Sequence, residues 1–235
     1  MISPESISAQ DIRQAYTLLK TLGSEFVGGF DIDKITIDQN CEGGKLAFVS
    51  TEDAYDEDGS VKHDGKPDSM TICLNGLRDS VKGSMSSWKS TWPNMNESYE
   101  GSLADPRFAR TPFGIILLLI LGEAFAHERG HILEPKIVDG NKVPNLSGEP
   151  EAEAAGEQAS SRLSDILYRD IDYSYLDPNL DRNNVNPTLV ASLSSSISLI
   201  KSAPSIQEDS ISRLKELFSN EISRGSASGS IRRQD

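Results

Sequence analysis

The chain has 235 residues, of which 37% are hydrophobic, and its formal net charge is −13 at pH 7. This length and apolar content are sufficient for one domain with a buried core. The negative charge argues against binding to nucleic acid or to an anionic membrane, because phosphate groups are recognised by basic surfaces.

The N-terminal part of the chain predicts one helix followed by three strands. We expect the helix from Ala9 to Leu22, capped by Ser8 and ended by Gly23. The strands are indicated by short runs of β-branched and apolar residues, at Lys34–Asp38, Lys45–Val49 and Ser69–Asn75.

The connections between these strands predict a small mixed or antiparallel sheet. Residues 40–44 have the length and glycine content of a hairpin loop between the first two strands. Asn75-Gly76 predicts a turn at the end of the third strand. Strands combined with helices in this way indicate an α+β fold.

An acidic loop precedes the third strand. Residues 52–59 are rich in acids, but Ala54 and Gly65 occupy positions where a calcium-binding loop needs oxygen ligands. A solvated loop is therefore expected. We expect His63, in the same polar region, to be a surface residue rather than a metal ligand.

A long apolar helix is predicted further along the chain. Thr111 can cap it with Pro112 at its first position, and residues 113–121 are apolar on every face. Such a helix lies in the centre of a protein. It is not expected to insert in a membrane, since the uncharged stretch ends at Glu123, short of the roughly 20 apolar residues that span a bilayer. Pro135 ends the helix.

The end of this helix carries His127-Glu128-Arg129-Gly130-His131, which contains two of the chain's three histidines. Residues four apart lie on one face of a helix, so both imidazoles can bind one metal ion while Glu128 flanks it. Catalytic zinc keeps one position for a water molecule, whose pKa falls to about 7. The motif therefore predicts a zinc enzyme in which Glu128 accepts the proton of that water.

A third zinc ligand is expected on the next helix. Residues 149–159 predict the start of this helix, with a proline near its first position and acids in its first turn. Its apolar repeat is formed by Ala152, Ala155, Ala159, Leu163, Ile166 and Leu167. The helical phase does not choose between Glu151 and Glu153, because they lie about 100° from the centre of this stripe on opposite sides.

These residues resemble the zincin metallopeptidases, specifically the glutamate-ligand branch called gluzincins, over roughly Met70 to Leu167. In that branch the third ligand begins a pattern E-x-E-A-[DN], which residues 151–155 match except that Ala155 replaces the acid or amide. Glu151 lies 20 residues after His131, a spacing similar to that of thermolysin-type enzymes. The resemblance implies zinc on His127, His131 and Glu151, with Glu153 as the alternative ligand.

The resemblance also implies a fold and an activity. The fold would be zincin-like, a small sheet packed on the buried motif helix and followed by a mostly helical C-terminal part. An edge strand at Ser69–Asn75 would bind an extended protein or peptide substrate through its backbone. Hydrolysis of the peptide bond also needs a donor for the oxyanion, and the candidates are Tyr168, Tyr173, Tyr175 and Arg162.

Two other functional classes share these residues. One is a zinc hydrolase that acts on a non-peptide amide. The other is a non-catalytic, acidic interaction protein in which the motif is coincidental.

A weaker similarity is to the short zinc peptidases that bacteria inject as effectors or carry as toxins. Those chains often have a Glu-Asn or Glu-Gln pair, an arginine and a tyrosine after the motif helix, and the counterparts here would be Glu157-Gln158, Arg162 and Tyr173 or Tyr175.

We expect one metallopeptidase-like domain over residues 1–191, followed by a Ser-rich segment over residues 192–235 with one short helix and a flexible tail. Cys41 and Cys73 either pair or stay reduced, and their spacing does not decide between these states. The N-terminus has no pattern of a signal peptide, so we expect a cytoplasmic protein or one exported by a signal-peptide-independent route.

Overall fold

The computed structural model describes residues 1–39, 41, 45–50, 54–62, 69–145 and 148–176. The described α-helices are α1 (Ala9–Leu22), α2 (Leu74–Thr91), α3 (Pro112–Leu133) and α4 (Glu149–Arg169). The described strands are β1 (Ile35–Asp38), β2 (Ala47–Phe48), β3 (Met70–Cys73), β4 (Lys136–Val138) and β5 (Asn141–Val143). Short 3-10 helices lie at Pro4–Ser6, Ser24–Val27, Ile32–Lys34, Phe108–Arg110 and Tyr173–Tyr175. The α+β class is confirmed, and the described part of the chain is mostly helical.

Some of our predictions fall on other residues. His63 and Gly65 lie outside the described part of the chain, as do residues 40 and 42–44 of the predicted hairpin loop, the domain limit at residue 191 and the Ser-rich segment that follows it.

Helix α3 is buried along most of its length, as its sequence predicts. The Thr111 side chain accepts a hydrogen bond from the Gly114 N–H at 3.0 Å, which satisfies a backbone donor at the start of the helix. α1, α2 and α4 all pack against α3. None of the helices in the described residues is long and apolar enough to cross a membrane.

The predicted first helix is confirmed with its limits and its cap. The Asp11 N–H donates to the Ser8 hydroxyl at 3.3 Å, and the Ser8 N–H donates to the Asp11 carboxylate at 2.8 Å. These reciprocal bonds satisfy donors that a helix start leaves free. Tyr16 on this helix contacts the ring of Phe125 on α3, with ring centroids 5.8 Å apart.

The predicted hairpin between β1 and β2 is wrong. The strand order is β1-β3-β2, in which β3 is parallel to β1 and antiparallel to β2. Met70, Ile72 and Cys73 of β3 are all buried, so the strand with the most buried side chains takes the central position. β2, and not β3, is therefore an edge strand beside α3.

The predicted turn at Asn75-Gly76 is also wrong, because α2 begins directly after β3 and runs through both residues. Helical spacing of the buried residues Leu77, Val81 and Met85 explains why the chain continues as a helix. A Cβ atom on Gly76 would lie 2.2 Å from the carbonyl oxygen of Lys45. Gly76 therefore allows the chain that leads into β2 to lie against α2.

Cys41 and Cys73, whose pairing the sequence left open, form a disulfide with a Cα–Cα distance of 5.5 Å. The Cys73 N–H also donates to the carbonyl oxygen of Leu46 at 2.8 Å. The end of β3 thus has a covalent bond and a hydrogen bond to the region of the chain before β2.

Helices α3 and α4 approach each other through small residues. A Cβ atom on Gly130 would lie 2.8 Å from the Cα of Ala152, and one on Gly156 would lie 3.2 Å from the carbonyl oxygen of Glu123. These distances leave no room for a methyl group at Gly130 without a movement of the backbone. The separation of the two helices is therefore set by glycine.

We expect Gly130→Ala to destabilise the fold despite the better helix propensity of alanine. Overpacking of a close contact costs about 1–3 kcal/mol, and alanine returns about 1 kcal/mol in a helix. Gly83 on α2 has open space around its Cα, so Gly83→Ala should instead stabilise the protein by roughly 0.5–1 kcal/mol. Urea unfolding of both variants measures the difference, and equal stabilisation by the two substitutions would rule out the tight contact.

Candidate metal centre

His127, His131 and Glu149 bring together three atoms that can bind a metal, all within 4.8 Å of one another. The Nε2 atoms of the two histidines are 3.0 Å apart. Carboxylate oxygens of Glu149 lie 3.6 Å from the Nε2 of His127 and 3.8 Å from the Nε2 of His131. Ligands about 2.0–2.2 Å from a tetrahedral zinc ion are roughly 3.3–3.6 Å apart. The three observed distances lie within about 0.3 Å of this range, so the three side chains could hold a metal ion of this size.

His131 is oriented by a backbone group. Its Nδ1 lies 2.8 Å from the carbonyl oxygen of Asn145, and the N–H of Asn145 donates to the carbonyl oxygen of His131 at 2.9 Å. Because a carbonyl oxygen only accepts, Nδ1 carries the proton and Nε2 has a free lone pair for a metal. The carbonyl thus orients the histidine, which is the role that the resemblance to the gluzincins assigns to an acid or amide at the position of Ala155. No sequence pattern identifies such a backbone partner.

The three candidate glutamates of α4, Glu149, Glu151 and Glu153, are all exposed, and the Glu149 side chain is 62% exposed. Of these three, only Glu149 has carboxylate oxygens within 4 Å of both histidines in the described structure. The buried face of α4 contains Ala152, Gly156, Ser160 and Leu163, among others. Glu149 lies one turn before Ala152 on this face, so it points to α3. The sequence interpretation included Ala155 and Ala159 in the stripe, which moved its centre away from the true face. Gly156 and Ser160, which are on the buried face, would have indicated the correct orientation of the helix.

Glu128 lies in the same region and is only 7% exposed. Burial raises the pKa of its carboxyl group from 4.5 to about 7, and the negative charge of Glu149 adds to this effect. A hydrogen bond from the Val49 backbone and the positive charge of Lys45 oppose it. A carboxylate with a pKa near neutrality is suited to accept and return a proton.

His127 is kept in the form that binds metals. Burial is the main cause that lowers its pKa, and the neighbouring His131 lowers it further. The carboxylates of Glu149, Glu153 and Glu123 act in the opposite direction. The net effect favours the neutral imidazole, whose lone pair is free for a metal ion.

A cleft of about 570 Å³ opens at these residues. The β2 region contributes residues 45–48, and α2 contributes Ser80 and Ser84. Helix α3 contributes one face of its second half, which consists of Ile120, Glu123, Ala124, His127, Glu128 and His131. Glu149 completes the lining. A cleft of this size can hold several residues of an extended peptide.

Three of the four residues expected to stabilise an oxyanion, namely Tyr168, Tyr175 and Arg162, are not among the described residues that line the cleft. Tyr168 is buried and stacks on Trp88, with ring centroids 6.0 Å apart. Arg162 forms an ion pair with Glu25 at 3.1 Å on the surface. Tyr175 lies in the last 3-10 helix, and the side chain of Tyr173 is outside the described part.

Comparison with protein-family models, with curated proteins and with solved structures gave no match.

Substitution of the three candidate glutamates will identify the third ligand. We expect Glu149→Gln to weaken zinc binding by more than the 10–100-fold that loss of an outer partner costs, because it removes a ligand charge. Glu151→Gln and Glu153→Gln serve as matched controls on the same helix and should change affinity by less than about threefold. Competition with a zinc chelator measures all three. Weakening by Glu151→Gln alone would instead support the ligand that the sequence favoured.

The contribution of Glu128 to the stability of the metal-free protein should fall as the pH rises from about 4.5 to about 7. The pKa of Glu128 is raised in the folded state, so the folded protein holds this proton more tightly than the unfolded chain, and the advantage disappears as the pH passes the folded pKa. The shift corresponds to at most about 3 kcal/mol. Urea unfolding at several pH values, with Glu128→Gln as reference, isolates this contribution, and parallel curves for both proteins would contradict it.

Proposed function

We propose that the protein is a zinc-dependent metallopeptidase with a zincin-like arrangement of its site. The observation that carries the proposal is the grouping of His127, His131 and Glu149 at zinc-ligand distances beside the buried Glu128. Two imidazoles and one carboxylate form a donor set that suits zinc and leaves a position for a water molecule. Ordinary ion pairs on a protein surface do not require two imidazoles and a carboxylate to meet at one point.

The metal and Glu128 have separate tasks in the proposed reaction. Zinc held by the three ligands would polarise the scissile carbonyl and lower the pKa of a water molecule. Glu128 accepts a proton from the water as its oxygen bonds to the carbonyl carbon. Glu128 then gives this proton to the amide nitrogen as the C–N bond breaks, which yields a carboxylic acid and an amine.

The backbone of the β2 region supports a peptide substrate. β2 is the edge strand of its sheet, and residues 45–48 line the cleft that contains Glu128 and the histidines. An edge strand can bind an extended peptide through main-chain hydrogen bonds, which tolerate many side chains. A small non-peptide amide would not need such an edge, so the edge favours the peptidase over the other hydrolase.

We expect Glu128→Gln to retain zinc and to lose peptide hydrolysis by about 10²–10⁴-fold, because glutamine cannot accept the proton. Glu134→Gln, at an exposed position directly after α3, is the matched control and should keep full activity. Zinc content is measured by elemental analysis, and hydrolysis is measured on a denatured casein-like protein. Stoichiometric zinc without hydrolysis in the wild type would point to a non-peptide amide. Absence of zinc after reconstitution would leave an acidic interaction protein.

A further inference from the structure

Lys45 is the one cationic side chain among the described residues that line the cleft. Its ammonium group lies 5.7 Å from the centre of the Phe48 ring. No carboxylate of the described residues forms an ion pair with it, although the chain carries 36 acidic residues. A lysine that lines a cleft and forms no ion pair with a described carboxylate can bind an anion of a ligand.

The segment that carries Lys45 is held in place from two sides. The Leu46 carbonyl accepts the hydrogen bond from Cys73, and Gly76 gives the Lys45 carbonyl its close position against α2. The disulfide of Cys41 lies a few residues before Lys45. These contacts fix the backbone from which the side chain extends, so its ammonium group has a limited region of the cleft within reach.

The strand also sets the distance between Lys45 and the proposed reaction. The backbone of Val49 is hydrogen-bonded to Glu128, and Lys45 precedes Val49 by four residues. A fully extended chain rises about 3.3 Å per residue. Because only Ala47 and Phe48 are in the strand and Leu46 forms a bend, the backbone separation of the two positions is below roughly 13 Å. The side chain of lysine shortens this separation by several ångströms. Lys45 is thus placed to contact a group two or three residues away from the scissile bond of a peptide that follows β2.

We propose that Lys45 anchors a carboxylate of the substrate two or three residues from the scissile bond, so that the protein selects peptides with an acidic group there. This inference rests on the proposed peptidase function. Two sources can supply the carboxylate, namely an aspartate or glutamate side chain and the free C-terminus of a peptide. The cleft also contains the carboxylate of Glu123, which is not a proposed zinc ligand and repels an acidic group near it.

Three sets of peptides test the proposal, of which the first two have the same length. One set places glutamate at each position from one to four residues on either side of the scissile bond, and the second has glutamine there. The third has the glutamine sequence shortened so that its free C-terminus falls two or three residues after the scissile bond. We expect kcat/KM of the wild type to be about tenfold higher for one acidic position or for the free terminus than for the glutamine peptide, which is the size of a partly buried charge-assisted contact.

Substitutions at Lys45 should change this selectivity. Lys45→Met should abolish the preference, so that the ratio of kcat/KM for the glutamate peptide to kcat/KM for the glutamine peptide falls from about ten to about one. Lys45→Glu should reverse the preference toward a peptide with lysine at the same position. Lys20→Met is the matched control, since Lys20 also lies above an aromatic ring, at 6.0 Å from that of Tyr16, but is on α1 and not in the cleft.

Calorimetry of peptide binding to Glu128→Gln separates this inference from the peptidase proposal. Its expected result is a Kd about tenfold lower for the acidic peptide, with the difference lost when Lys45→Met is added. This binding result would stand even if no peptide were cleaved. Equal binding of acidic and neutral peptides would overturn the role of Lys45, as would a uniform loss of kcat on all peptides in Lys45→Met, which would place the ammonium group at the reacting carbonyl.

Discussion

The close packing of α3 on α4 determines whether the candidate metal centre exists. α3 supplies two histidines from one helical face, but the third candidate ligand, Glu149, is the first residue of α4. The distance between these ligands follows from the distance between the helices, which meet where Gly130 contacts Ala152. A zinc ion tolerates little change in ligand distance. The glycine inside the motif is thus as important for the centre as its histidines, although it has no side chain to bind a metal.

The apolar character of α3 has a second consequence, at Glu128. The helix is buried because its sequence is apolar on all faces, and its last turns carry Glu128 into the same low-dielectric region. Removal of a carboxylate from water disfavours its charged form, so the pKa rises. The same burial that stabilises the fold therefore adjusts the proton affinity of Glu128. A divalent cation beside it would favour the carboxylate form and repay part of the cost of burial.

The sequence predicted those features that depend on local signals. Ser8 and Thr111 mark the starts of α1 and α3, and the spacing of His127 and His131 follows from helical geometry alone. The order of the strands was not predictable in this way, because β3 pairs with partners far away in the chain and burial decides which strand is central. The choice of Glu149 also depends on long-range packing, since it requires knowledge that Gly156 faces α3. Small and polar residues at a helix contact give no hydrophobic signal.

Positive and negative side chains lie at different sides of the cleft, because they come from different elements of the fold. Glu123 and Glu153 act on His127 from α3 and α4, whereas Lys45 acts on Glu128 from the β2 region. In an acidic protein, a single cation at one side of a cleft creates a larger difference in electrostatic potential along the cleft than it would in a neutral protein. A peptide on the edge of β2 would meet positive charge toward Lys45 and negative charge toward the exposed side of His127. Such a field would fix which way the chain lies, since main-chain pairing along an edge strand leaves register and direction weakly specified.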